Sequence, residues 1–109
     1  MKLIRSIIHP DKVDQVKKAL GDLAVSWLTV TQVADHNPSR PHTMVWRGHR
    51  YDVGAVRMEI DVAVDDDDVD HVVDVIIKTA RTGQIDDGYV SVIPVEGRYE
   101  IRTGRRAAS

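Results

Sequence analysis

The chain has 109 residues and no cysteine. That absence excludes disulfide bonds, thiol catalysis and a thiolate zinc site, and it fits a reducing, cytoplasmic setting. Long apolar runs are missing too. No stretch approaches the roughly 18 residues that mark a membrane-spanning helix, and the apolar run within Met1–Pro10 is too short for a signal peptide. Neither charge sign dominates: 15 Lys and Arg meet 17 Asp and Glu, for a net charge of −2 and a pI near 6.2. That balance argues against nucleic acid as the partner. What is present, 42% hydrophobic and 29% charged residues, is ordinary for a globular protein. The length predicts one domain, residues 1–109, with a core of its own.

Two halves share one pattern. Lys2–His9 is apolar, β-branched and closed by Pro10, so it reads as a strand. A helix follows, with Pro10 near its first turn and Val13, Val16, Leu20 and Leu23 along one face. Gly21 lies near its C-terminal end, and Ser26–Val33 reads as a second strand. After residue 55 the order repeats. Val56, Met58, Ile60, Val62 and Val64 alternate with Arg57, Glu59, Asp61 and Ala63, a strand signal of period two. Asp65–Asp68 open a second helix, where carboxylates complement the positive N-terminus better than they converge on a metal. That helix buries Val69, Val72, Val73, Ile76, Ile77 and Ala80 and ends at Thr82-Gly83. Tyr89–Val95 is the next strand and Tyr99–Arg102 a short final one. Lys12–Val16 aligns with Asp68–Val72, 56 residues further on. The predicted fold is α+β: a ferredoxin-like βαβ-βαβ sandwich with an antiparallel sheet and both helices on one face. The uncovered sheet face predicts a homo-oligomer.

Between the halves lie residues 34–55, with three histidines, three arginines, two prolines and two glycines. For most of its length this segment has neither helical nor strand period. A structureless insertion of that length is uncommon in a compact domain and usually functional or disordered, so function is expected here. His36, His42 and His49 are metal ligands by type, but spacings of six and seven match no standard chelate. Trp46 is a candidate partner anchor, and Trp27 is expected at a subunit interface. His9 and His71 read as surface or cap residues. Ser6, Ser26, Ser39 and Ser91 lack a nucleophile elbow or a His–Asp arrangement. The neighbours Asp86 and Asp87 are not placed to face one substrate. No catalytic constellation converges, so an enzyme is not expected.

Three segments together resemble the PII signal-transduction (nitrogen regulatory) family. They are Ile7-Ile8-His9-Pro10 with the helix after it; His42-Thr43, Arg47-Gly48 and Tyr51; and Thr82–Gly88 with Ile101-Arg102-Thr103-Gly104. The resemblance spans nearly the whole chain. It implies trimers of ferredoxin-like subunits, adenine nucleotide (ATP, ADP or AMP) in clefts between subunits, and a T-loop, here about residues 34–55, that docks on a target transporter or enzyme. Residue by residue, it implies a nucleotide site of Ile7, Thr29, Asp61, Ala63, Ile85, Asp86, Asp87, Gly88, Tyr89, Arg102 and Thr103. Arg47, Trp46 and Tyr51 would be the partner-binding residues of the T-loop, and residues 103–109 a C-terminal tail. Ile7 and Ile85 suit the faces of a purine, and Thr29 can hydrogen-bond a base edge. The Asp87-Gly88 backbone can approach a phosphate, and Arg102 offers a fork to its oxygens. Tyr51 matches a tyrosine that some members have uridylylated.

The departures from the family pattern cluster at the phosphates. Its Gly-Asp-Gly-Lys is here Asp86-Asp87-Gly88-Tyr89, and its Arg-Ile-Arg is Glu100-Ile101-Arg102. Two cations are lost and two carboxylates gained, each unscreened like-charge contact costing on the order of 1 kcal/mol. ATP should suffer most, ADP and AMP less. Lys78 and Arg105 or Arg106 are candidate compensating cations, and Arg57 a candidate stand-in for a family lysine. Asp35, Pro38 and Ser39 replace the family's Gly, Arg and Gln at the loop base, which argues against sensing of magnesium and 2-oxoglutarate. The alternative expectation is a PII-shaped sensor of a metal or a small anion, such as bicarbonate, that no longer binds ATP.

Overall fold

The computed structural model describes residues 1–23, 25 and 27–107. Strand β1 (Lys2–Ile8) leads through a 3-10 turn (Pro10–Lys12) into helix α1 (Val13–Asp22). Strands β2 (Thr29–Asp35), β3 (Thr43–Trp46), β4 (His49–Asp52) and β5 (Ala55–Val64) follow. A second 3-10 turn (Asp66–Asp68), helix α2 (Val69–Ala80) and strand β6 (Tyr89–Pro94) complete the order.

The internal repeat extends to the backbone. Both helices are entered by the same tight turn. Lys12 N donates to His9 O at 3.0 Å and Asp68 N to Asp65 O at 2.9 Å. Lys12 (φ −96°, ψ −8°) and Asp68 (φ −97°, ψ −7°) are nearly superposable. Neither helix start carries a side-chain cap hydrogen bond. The aspartates of 65–68 therefore favour α2 through its positive end alone.

The main sheet has the order β2-β5-β1-β6 and is antiparallel throughout, as in a ferredoxin-like fold. Period two puts Ile4, Ser6 and Ile8 of β1 on one face with Ile60, Val62 and Val64 of β5. Against them pack Val16 and Leu20 of α1 and Val72, Ile76 and Ala80 of α2, forming the core. Ser6 is fully buried, and its hydroxyl donates to Ile60 O at 3.3 Å. On the opposite face, the Arg5 guanidinium forks onto Asp61 at 3.1 and 3.2 Å and reaches Glu59 at 3.4 Å. Burial, and then the neighbouring Asp61 charge, push Glu59 above the usual carboxylate range.

Three expectations change. Ser26 lies outside the described residues, and the second strand runs later than read, Thr29–Asp35. Tyr99–Arg102 is not a strand: a single bridge joins Tyr99 to Arg106 around a turn in which Gly104 N donates to Glu100 O at 2.8 Å. Gly104 holds φ 67°, a backbone region that favours glycine. The third change is in the 34–55 segment, where β3 and β4 form a two-stranded hairpin. Its turn places both Arg47 (φ 50°) and Gly48 (φ 77°) at positive φ, the signature of a type I′ hairpin turn.

Leu20 is fully buried between the helices and the sheet. Leu20→Ala should lower unfolding free energy by about 2–5 kcal/mol, read as a shifted urea midpoint with unchanged slope. A shift within error would show that α1 is not packed as described.

Candidate functional site

The residues of the expected nucleotide site fall into two sets. The first is built by the loop from Arg81 to Gly88, which returns the chain from α2 to β6. Gly88 (φ 110°) crosses the end of β1 so closely that a Cβ there would lie 1.9 Å from the carbonyl oxygen of Ile7. Glycine is thus required by space as well as by φ. The Asp87 carboxylate turns back into its own loop. It accepts the amides of Thr82 and Gly83, both at 2.8 Å, and the Thr82 hydroxyl. The Thr82 hydroxyl above all, then these amides and His9, hold Asp87 below the usual carboxylate range. His9 Nε2 lies 3.6 Å from the Asp87 carboxylate and is buried without a hydrogen-bond partner. His9 is the N-cap residue of the first 3-10 turn, as a cap reading expects, and its ring also backs this loop.

Asp86 points the other way and receives Arg57 Nη2 at 3.2 Å, while Arg57 Nη1 donates to Val56 O at 2.8 Å. A cavity of about 200 Å³ opens beside this pair. Ile85, Asp86, Gly88 and Tyr89 form one wall, and Asp35, Asn37, Arg40 and His42 form the other. Loop 81–88 and the start of segment 34–55 therefore face one space. Ile7 lies with Asp87, Gly88 and Tyr89 along a neighbouring cavity of about 330 Å³.

The second cluster sits at the opposite end of β2. Thr29, Asp61 and Ala63 line a cavity of about 310 Å³ with Trp27 and Arg98. Arg102 lines an adjoining cavity of about 540 Å³ that shares Trp27 and Arg98. Thr103 folds into its own turn, its hydroxyl accepting Arg105 N at 3.2 Å. Thr29 and Asp35 open and close β2, so the cavity beside Thr29 and the cavity beside Asp35 lie at opposite ends of that strand, while Ile7 and Asp61 stand close together on paired strands β1 and β5. Within one chain the two sets line different cavities.

Both carboxylates that replace the family's pattern are paired. Asp86 is neutralised by Arg57, and Glu100 lies 3.2 Å from Arg102 Nε. Two of the expected compensators are engaged elsewhere: Lys78 pairs with Asp74 at 2.9 Å, and Arg106 donates to Glu96 O. The sequence missed the Arg57–Asp86 pair because 29 residues separate its members.

The residues of β3 and β4 are all exposed. Arg47 stacks over Trp46 at 4.5 Å, and His49 meets Tyr51 edge-on at 6.5 Å. The hairpin is closed at its base by Val53 N to His42 O at 2.8 Å and by His36 Nδ1 3.5 Å from Asp52. The Gly54 amide, more than His36, holds Asp52 below the usual carboxylate range. The three loop histidines thus make separate local contacts. Among the described residues no group of three or more metal-ligating side chains converges.

Two predictions follow from loop 81–88. Gly88→Ala should distort this loop and lower the thermal midpoint by several degrees, since a Cβ would meet fixed backbone of β1; an unchanged midpoint would refute the close crossing. Asp87 titrates low, so its stabilising contribution is complete above the ordinary aspartate value of 3.8 and is lost as pH falls through its lower folded value. NMR shifts of the Thr82 and Gly83 amides should titrate with a midpoint below 3.8, and a midpoint above it would contradict the pairing.

Comparison with known proteins identifies the scaffold. The family model "Nitrogen regulatory protein P-II" matches residues 1–105. The chain is 39% identical over 105 residues to the nitrogen regulatory protein GlnK of Escherichia coli (strain K12), covering 95% of this chain and 94% of that one. It is 42% identical, over the same shares, to nitrogen regulatory protein P-II 1 of Escherichia coli (strain K12) and of Salmonella typhimurium (strain LT2). The match runs through β1, loop 81–88 and the C-terminal turn, the elements that carry both clusters, and the chain belongs to the nitrogen regulatory P-II family.

Proposed function

We propose that this protein is a cytoplasmic PII-like regulator. It binds an adenine nucleotide in the clefts between subunits of a homotrimer, and it controls a target transporter or enzyme through segment 34–55. The observation that carries this reading is the cavity shared by loop 81–88 and the base of segment 34–55. A ligand there touches both walls. It orders the base of the hairpin in one state and releases it in another. Regulation requires different ligand affinities for those states, and a site with one wall on the moving segment supplies that difference.

The division of these residues between separate cavities supports the oligomer. Ile7, Ile85, Asp86, Asp87, Gly88 and Tyr89 form one half of the nucleotide site. Thr29, Asp61, Ala63, Arg102 and Thr103 form the other, contributed by a neighbouring subunit. Pairing of Asp86 and Glu100 with arginines removes much of the repulsion toward phosphates, so ADP and ATP remain acceptable ligands. The exposed hairpin, with Trp46, Arg47 and Tyr51 at or near its tip, is the partner-binding surface, and Tyr51 is 45% exposed and accessible to modification. The chain's function is regulatory rather than catalytic, as the names of its relatives suggest.

Calorimetric titration with ATP, ADP and AMP tests the reading, and Arg102→Ala tests the pocket. Loss of one charge-assisted contact should weaken ADP binding roughly 10- to 100-fold, with the mass of the assembly unchanged. Equal affinity of Arg102→Ala and wild type would refute the assigned pocket.

A further inference from the structure

The second cluster contains a feature that the family pattern does not assign. Trp27 is 55% exposed at the junction of two cavities, beside Thr29 and Asp61. The guanidinium of Arg98 lies over its ring, 4.5 Å from the centroid. An indole left this exposed, with a cation fixed over it, is a preformed stacking surface. Its surroundings define what it takes. Within the same cavity of about 310 Å³, Thr29 supplies a hydroxyl and Asp61 a carboxylate. The Arg5 fork uses one lone pair on each Asp61 oxygen, at 3.1 and 3.2 Å, and fixes the group in place. A carboxylate offers about four acceptor positions, so acceptors remain for N–H donors of a ligand. A flat ring that carries an amine edge meets each of these features.

We propose that Trp27, held by Arg98, is the base-stacking platform of this protein, set beside the Asp61 carboxylate that Arg5 fixes in place. The inference rests on the nucleotide reading and deepens it. It assigns recognition of the base to an aromatic stack and leaves the phosphates to Arg102. Binding strength thereby moves from the phosphate end, where two cations have been replaced, to the base end. Tyr99 and Ile101, which line the adjoining cavity, are 62% and 100% exposed and extend the same wall.

The test uses the whole protein. The chain has two tryptophans, so Trp46→Phe leaves Trp27 as the only indole. ADP added to Trp46→Phe should quench its emission along a saturating curve. Inorganic tripolyphosphate, which lacks a base, should not. Trp27→Ala should weaken ADP binding roughly 5- to 150-fold, the range for loss of one base–aromatic stack, while Trp27→Phe stays within a few-fold of wild type. Unquenched emission at ADP concentrations that saturate the same protein by calorimetry would overturn the platform and leave the nucleotide reading standing. So would wild-type affinity in Trp27→Ala. If Trp27→Ala fails to assemble, and emission in Trp46→Phe changes with subunit association but not with ADP, Trp27 is an interface residue and the proposal falls. Failure of wild type to bind any adenine nucleotide would overturn both readings together.

Discussion

The contact between Gly88 and the carbonyl oxygen of Ile7 is the constraint from which the candidate site follows. A side chain at residue 88 has no room, 1.9 Å from backbone that is already committed to the sheet. The loop can therefore return to β6 only by laying its backbone across the end of β1, which sets Ile7 opposite Tyr89. With that crossing fixed, Asp86 and Asp87 leave the loop in different directions. Asp87 ties the loop to its own beginning at Thr82 and Gly83, and Asp86 reaches across to Arg57 on β5. One steric requirement thus joins the loop, the sheet and the point where segment 34–55 ends.

The pairing of charges explains how the altered sequence keeps a usable cleft. Read as a string, Asp86 and Glu100 in place of glycine and arginine look hostile to a phosphate. In the fold each has its own arginine. Arg57 also donates to Val56 O just past segment 34–55, so the cation that neutralises the loop is anchored where that segment rejoins the sheet. These contacts link loop 81–88 to the point where segment 34–55 rejoins the sheet.

Much of this was legible in the sequence. Alternation from Val56 to Val64 marked β5, and the 3–4 spacing of Val13, Val16 and Leu20 marked α1, because each element buries one face against a core. The hairpin of β3 and β4 was not legible for the same reason: all eight residues are exposed, so burial imposes no period. Its turn signal was muted as well, because Arg47 sits where asparagine or aspartate usually announces a type I′ turn. The Tyr99–Arg102 reading failed because Thr103-Gly104 closes a turn there. Family resemblance supplied a list of candidate site residues, but not their division between separate cavities. Pairs such as Arg57–Asp86 and Arg98–Trp27 form across long stretches of chain, where local pattern is silent.

The central claim is that the two clusters complete one nucleotide site only when subunits meet. Native mass spectrometry across an ADP titration tests it most directly. The account predicts a trimer that takes up to three nucleotides, with any dissociated single subunits free of nucleotide. A single subunit that carries ADP, or a trimer that carries none at saturating concentration, would contradict it.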